Sequence, residues 1–127
     1  MSSFFVPTSK DIYLEANGVR LGTVESYKCY AVRKSCSIEA FGEEEPVAAV
    51  TGRTSYTLEL SRVDTSPAYS DGVDFYDLED FSLVVVKPDR RIVYTGCRWS
   101  DIQETAEVGS AVLEKVKIVA AKRMVLQ

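Results

Sequence analysis

The sequence predicts a mainly β domain, a barrel or sandwich of about seven to eight antiparallel strands with one short α-helix. Three observations predict this fold class. Residues 54–62 alternate between apolar and polar side chains, which is the period of a half-buried strand. Asn17-Gly18 lies between two shorter alternating segments, and this dipeptide favours a hairpin because both turn residues accept positive φ. Residues 83–86 form a continuous apolar run that ends at a Pro-Asp turn, as expected of a buried strand.

The other elements follow from the same patterns. The predicted strands are residues 11–16 and 19–21 around the Asn-Gly turn, 24–40, 47–63, 82–87, 91–99, 100–107 (strand favoured over helix) and 111–126. Residues 24–40 and 47–63 are expected to pair as an extended hairpin, with Tyr30 and Val32 on its apolar side. A short helix is expected over residues 73–81, because Phe75, Leu78 and Phe81 are spaced three apart.

The length predicts one domain. A chain of 127 residues suffices for one compact core and not for two. Residues 1–10 contain Pro7 and several hydroxyl side chains, which indicates a flexible N-terminal arm. Residues 11–127 are the single predicted β domain.

Composition argues against several classes of function. The formal net charge is -4, from 15 basic and 19 acidic residues, and binding to nucleic acid through phosphate contacts requires clustered Lys and Arg. Apolar runs are shorter than the roughly 20 residues of a membrane helix, and the N-terminus lacks the basic start of a secretory signal. We therefore expect a cytoplasmic protein whose three cysteines are reduced thiols.

Catalytic, cofactor and metal sites are not predicted, and the chain is not expected to be an enzyme. It has no histidine, so the commonest general base and metal ligand is missing. Cys29, Cys36 and Cys97 lack the short spacing of a zinc site. Two acidic groups are candidate cation sites. The run at 43–45 is better interpreted as a solvated loop, and the acids at 71, 74, 77 and 80 as the wet face of the short helix.

The connection between the two long predicted strands is the most distinctive segment. It reads Phe41-Gly42-Glu43-Glu44-Glu45-Pro46 and is followed by Thr51-Gly52-Arg53. Three consecutive acids are too many for an ordinary tight hairpin, so we interpret this loop as a surface that meets a partner.

The order of these elements resembles the tail tube proteins of bacteriophages and of related contractile particles. The resemblance includes the Asn-Gly hairpin, the long strand, the acidic loop, residues 81–85, Tyr94-Thr95-Gly96-Cys97 and the late Gly109. It extends over residues 11–125 and implies a tail tube-like β-barrel or sandwich with an outer helix. It also implies a structural virion component whose subunits form hexameric rings, stacked into a tube that conducts DNA or an injected protein.

The resemblance further suggests partners and contact residues. The partners would be other copies of the chain, with sheath, baseplate or terminator proteins. DNA would be met only in passage, and the location would be a tail assembled in the host cytoplasm. The strands 24–40 and 47–63 would supply much of the inner sheet. The subunit contacts would be Phe41, Gly42, Glu43, Glu44, Glu45, Pro46 and Arg53, with the arm and residues 64–80 as further contact elements.

Two alternatives stay open at this stage. One is an initiator or adapter ring at the baseplate or tail end, which has the same fold but forms a single ring. The other is a monomeric β-barrel module that binds a ligand or peptide, with Trp99 and the seven tyrosines lining a pocket.

Overall fold

The computed structural model describes residues 11–38, 42, 48–64 and 71–127, and for 34–38 and 48–52 the backbone alone. The predicted N-terminal arm at 1–10 lies outside these residues. The described residues form eight antiparallel strands: β1 Tyr13–Ala16, β2 Val19–Arg20, β3 Val24–Ile38, β4 Ala48–Val63, β5 Phe81–Val86, β6 Arg91–Thr105, β7 Leu113–Ala120 and β8 Lys122–Leu126. The mainly β prediction is confirmed.

The strands form two layers that share β6. The first layer, sheet A, contains β2, β1, β5, the first half of β6 and β8. The second layer, sheet B, has the order β6, β7, β4, β3 and uses the second half of β6. β6 passes from one sheet to the other near Gly96. Before that point it pairs with β8, and after that point it pairs with β7.

The core lies between the two sheets. Sheet B contributes Leu58 and Leu60 from β4 together with Val116 and Ile118 from β7, and none of these is more than 3% exposed. Burying such side chains stabilises the fold by about 1.5–3 kcal/mol each. Alternation along β4 and β7 therefore leaves the opposite face of sheet B to solvent, as the sequence pattern of β4 predicts.

The first hairpin forms as predicted. Asn17 has φ +49° and Gly18 has φ +82°, the two positive values that a type I′ turn requires. The turn joins β1 to β2, and β1 also pairs with β5. Asn17 secures this pairing, since its Oδ1 accepts a hydrogen bond from the amide of Ser82 at 3.0 Å.

Two expectations from the sequence are wrong in detail. Tyr27 and Cys29, not Tyr30 and Val32, face the core from β3, because they lie opposite the buried Leu60 and Leu58. The short α-helix expected over 73–81 is a single 3-10 turn, Phe75–Asp77.

That turn is limited at both ends by local contacts. Asp74 is extended and its side chain accepts from the amide of Tyr76, whereas Leu78 is extended again and ends the turn. The carbonyl of Val73 is bound by Arg62, so it is directed toward the sheet.

Candidate assembly surfaces

Sheet B ends in an unpaired strand on each side. β3 pairs with β4, and no other strand among residues 11–38, 48–64 and 71–127 pairs with it. On the opposite side, β5 pairs with β6 only as far as Cys97. Within the described chain, the second half of β6 therefore has β7 as its one partner. A free strand edge carries a row of unpaired N–H and C=O groups, and these can bind another strand.

The long hairpin extends beyond the rest of sheet B. β7 pairs with β4 from Tyr56 to Val63, whereas β4 residues 48–55 pair with β3 alone. Eight residues of strand measure roughly 27 Å. The far part of the hairpin is therefore a two-stranded ribbon that leads to the acidic loop.

The outer face of sheet B is polar and charged. Cα partners in register place Asp101, Lys117, Glu59 and Lys28 in one row across the four strands. Opposite residues in such pairs share a face, and the row alternates in sign. Lys117 Nζ lies 3.8 Å from Glu59 Oε1 with both side chains about half exposed, so this ion pair adds little stability.

Positive charge exceeds negative charge in the three rows of this face that cross all four strands through Lys115, Lys117 and Val119. The basic residues are Lys28, Arg98, Lys115 and Lys117, and the acidic residues are Glu59 and Asp101. Four against two gives +2 on a chain whose formal net charge is -4.

A cleft of about 320 Å³ opens beneath the free edge of β3, between the two sheets. Its walls include Cys29, Ala31, Tyr56 and Tyr94, and two cationic side chains, Lys87 and Arg123, also line it. Tyr56 and Tyr94 meet edge to face with ring centroids 6.2 Å apart. Burial raises the pKa of the Cys29 thiol, and the hydrogen bond with Tyr94 and the charges of Lys87 and Arg123 oppose that rise. We call this the β3 cleft.

Two aromatic rings lie beside the opposite edge of sheet B. Trp99, in β6, meets Tyr76, in the 3-10 turn, with ring centroids 6.0 Å apart at 67°. Trp99 is 38% exposed and Tyr76 is 55% exposed. We call this pair the aromatic knob.

Arg62 holds the segment that carries Tyr76. Its guanidinium donates to Asp71 at 3.0 and 3.2 Å, to Glu114 at 2.9 Å and to the carbonyl of Val73 at 2.7 Å. Arg62 also lies over the ring of Phe75, 4.8 Å from its centroid, a favourable cation–π contact. The sequence pattern does not reveal this group, because the spacing of the acids places Asp71 on the wet face of a helix. Its carboxylate is instead buried.

The predicted contact residues are only partly placed. Phe41, Glu43, Glu44, Glu45 and Pro46 lie outside the described residues. Gly42 has φ +86° and Arg53 is exposed on β4. Their role in subunit contact stays a prediction.

Membrane-spanning helices and metal-binding clusters are absent from the described residues. None of the helical segments in residues 11–38, 42, 48–64 and 71–127 has the length and apolar character to cross a membrane. No group of three or more His, Cys, Asp or Glu residues in the same part of the chain is arranged to hold a metal ion.

Several solved structures that superpose on this chain are components of phage-like particles. A protein from the virion of a native gene transfer agent particle superposes with a TM-score of 0.70 at 11% identity, over 96% of this chain and 100% of that one. The tube terminating cap of the anti-feeding prophage gives 0.69 at 6% identity, over 100% and 95%. A chain of the sheath-tube complex of an extracellular contractile injection system gives 0.68 at 6% identity, over 95% and 91%.

The chain has the tail tube-like fold. Matches of this coverage span whole domains, so the fold resemblance expected from the order of sequence elements is confirmed. Neither a protein-family model nor a curated protein matches the sequence. The similarity of fold is therefore seen in the structure and not in the sequence comparisons.

Proposed function

We propose that this protein is a structural subunit that assembles into hexameric rings, which stack into the inner tube of a phage or phage-like tail. The observation that carries the proposal is the pair of free edges on sheet B, β3 at one end and the second half of β6 at the other. A head-to-tail ring joins the two edges and leaves none exposed.

The strand directions favour this closure. Each neighbouring pair in the order β6, β7, β4, β3 is antiparallel, so β3 runs opposite to β6. If neighbouring copies are related by a rotation axis parallel to the strands, β6 of the next copy runs in the same direction as β6 of the first. The new β3–β6 pair is then antiparallel as well, and the closed barrel is antiparallel throughout.

The outer face of sheet B suits the wall of a water-filled channel. Most of the side chains on it are charged or polar, whereas the other face carries the core. DNA or an injected protein would pass along this wall. Sheath, baseplate and terminator proteins would contact the finished tube, which would be part of the particle tail after assembly in the host cytoplasm.

The ribbon and its loop are proposed as the contact between rings. The ribbon carries Arg53 and leads to Phe41, Gly42, Glu43, Glu44, Glu45 and Pro46. Residues 43–45 join the two strands of the ribbon in the sequence, and the ribbon is outside the part of β4 that carries the core residues Leu58 and Leu60. Deletion of residues 43–45 should therefore leave folding intact and weaken ring stacking. Arg53→Glu should act in the same direction, and Lys115→Glu, an exposed position on the inner strand β7 of the same sheet, is the matched control.

Electron microscopy of the purified protein over a range of concentrations tests the proposal. Hollow tubes or stacks of hexameric rings are the expected result. A protein that is strictly monomeric at every concentration contradicts the proposal and favours the third possibility, a monomeric binding module. For that module, Tyr27, Tyr30, Tyr56 and Tyr94 line the β3 cleft, whereas Trp99 lies at the other edge.

A single-ring component at the end of the tube is the second candidate. The TM-score to the tube terminating cap, 0.69, is almost the same as that to the gene transfer agent protein, 0.70. An initiator or adapter ring at the baseplate belongs to the same class. Isolated rings that do not stack at any concentration would favour this class over the main tube.

A further inference from the structure

The aromatic knob lies on the core-facing side of sheet B at its free β6 edge. Trp99 is the Cα partner of Ile118, which is fully buried in the core, so the two share that side. The strand is irregular immediately after Trp99, where the register with β7 shifts. Beyond this point, none of the described strands pairs with β6 on the side that β5 occupied. The two rings are therefore apolar surface beside an unpaired strand.

The β3 cleft lies on the same side of sheet B at the opposite edge. Cys29 is the partner of the buried Leu58, and Ala31 is the partner of Tyr56. Ala31 is exposed and lines the cleft together with Tyr56 and Tyr94. An apolar projection at one edge and an apolar cleft at the other thus share one face of one sheet.

The charges around the two features are opposite. Four acidic residues near Tyr76, namely Asp74, Asp77, Glu79 and Asp80, are all exposed. Lys87 and Arg123 line the cleft and act on the same Cys29 thiol. Such complementarity favours one orientation of docking and disfavours others.

We propose that the aromatic knob of one copy inserts into the β3 cleft of the next copy and provides the main apolar contact between neighbouring subunits. The inference rests on the proposed head-to-tail ring and names the residues that hold it. Tyr and Trp are the residue types most often found as binding hot spots. The cleft cations can also stack on the inserted rings. The acids around Tyr76 then lie near Lys87 and Arg123.

Intrinsic fluorescence gives a direct readout, because Trp99 is the one tryptophan of the chain. The indole is partly exposed in the single subunit and becomes enclosed when the knob is inserted. Its emission maximum should therefore move to shorter wavelength over the concentration range in which rings appear by electron microscopy. Rings that form with unchanged emission overturn the proposal and leave the proposed function standing.

Substitutions test the energetic role of the knob. Trp99→Ala and Tyr76→Ala should each raise the concentration needed for ring formation by at least about tenfold. Val119→Ala is the matched control, since Val119 is 40% exposed on the outer face of β7 and should assemble as the wild type does. Where Trp99→Ala fails to fold by circular dichroism, Tyr76→Ala decides the point. Folded Tyr76→Ala that assembles at the wild-type concentration overturns the proposal.

Mixing two complementary variants tests whether the knob contacts the cleft of another copy or only supports the fold of its own subunit. Ala31→Glu places a longer acidic side chain in the cleft and leaves the knob intact. The double variant Trp99→Ala with Tyr76→Ala removes the knob and leaves the cleft intact. Each variant alone should be monomeric, and a mixture should give a one-to-one dimer by native mass spectrometry, because one knob and one cleft remain compatible. Two folded variants that form no dimer on mixing overturn the proposal.

The behaviour of the wild-type protein separates failure of the ring from failure of the knob contact. A wild type that is monomeric at every concentration contradicts the ring itself, and the knob contact with it. A wild type that forms rings, with knob variants that do the same at equal concentration, contradicts the knob contact alone.

Discussion

Gly96 and Ala121 face each other at the corner where β6 and the β7–β8 strand pass between the two sheets. A Cβ added at Gly96 would lie 2.9 Å from the Cβ of Ala121, closer than two carbon atoms pack. The amide of Ala121 donates to the carbonyl of Thr95 at 3.0 Å, so the neighbouring backbone is fixed. Gly96 also has φ +64°, in the left-handed region that side chains with a Cβ avoid. The corner therefore requires glycine for two reasons.

Gly96→Ala should lower the free energy of unfolding by more than the cost of the backbone conformation alone. That cost is about 1–2 kcal/mol for a residue with a Cβ. Gly109→Ala measures it separately, because Gly109 has φ +82° and open space where the Cβ would be. Adding Ala121→Gly to Gly96→Ala should recover the excess, since the contact atom is removed. Urea denaturation of the four proteins checks this, and equal losses for the two glycine variants would contradict a steric role for Ala121.

Arg62→Ala should strongly lower the free energy of unfolding, because Arg62 joins β4 to residues 71–73. It leaves Asp71 and Glu114 without their partner, and their side chains are only 7% and 19% exposed. Breaking a buried ion pair in this way costs about 3–5 kcal/mol. Lys117→Ala removes the exposed pair with Glu59 and should cost less than about 1 kcal/mol. Thermal or urea unfolding that gives similar losses for both variants would show that the Arg62 network does not fix this segment.

Where apolar and polar residues alternate strictly, the sequence predicts both the strand and the side chains that face the core. Where the alternation is interrupted, the sequence predicts the strand but not which side chains face the core. β4 alternates without a break from Tyr56 to Leu60, and Leu58 and Leu60 are buried on the predicted side. In β3 the lysines at 28 and 34 interrupt the pattern, and register shifts occur between Val24 and Ser26 and between Arg33 and Ser35. Each extra residue reverses the side that later residues face. A bulge depends on the partner strand, so the pattern of β3 alone does not reveal it.

The segment at 71–80 shows a second limit. Its acids recur every three residues, which suggests a helix with a solvated face. The deciding partner is Arg62, which is nearby in space and reaches Asp71 and Val73 through side-chain contacts. One buried guanidinium outweighs a weak helical period, because Asp71 also accepts hydrogen bonds from the amides of Gly22 and Val73. Such a network is a tertiary property. The aromatic knob was likewise not predictable from the sequence, since Trp99 and Tyr76 meet only in the folded chain.

Phe75 and Tyr76 are adjacent in the chain, but their truncation should change the free energy of unfolding by very different amounts. Phe75 is fully buried and packs edge to face on Phe81 with ring centroids 6.0 Å apart. Phe75→Ala should therefore cost about 3–5 kcal/mol of stability. Tyr76→Ala removes a ring that is 55% exposed and should leave the unfolding free energy of the monomer nearly unchanged. Chemical denaturation at concentrations below ring formation measures both. A large loss for Tyr76→Ala would mean that its ring supports the monomer.

The stability contribution of Cys97 should depend on alkaline pH. Burial raises the pKa of its thiol to about 11, above the ordinary 9.0, and the Sγ donates to the carbonyl of Tyr94 at 3.3 Å. A raised pKa in the folded state means that the stabilisation is complete below pH 9 and is lost as pH rises through about 11. The difference in unfolding free energy between wild type and Cys97→Ala should therefore be largest near pH 8 and shrink above pH 9. Both proteins will lose some stability in this range, because burial also raises the pKa values of Tyr27, Cys29 and Tyr94. Urea titrations at several pH values measure the difference, and a difference that stays constant with pH would contradict a folded-state thiol that holds its proton more tightly.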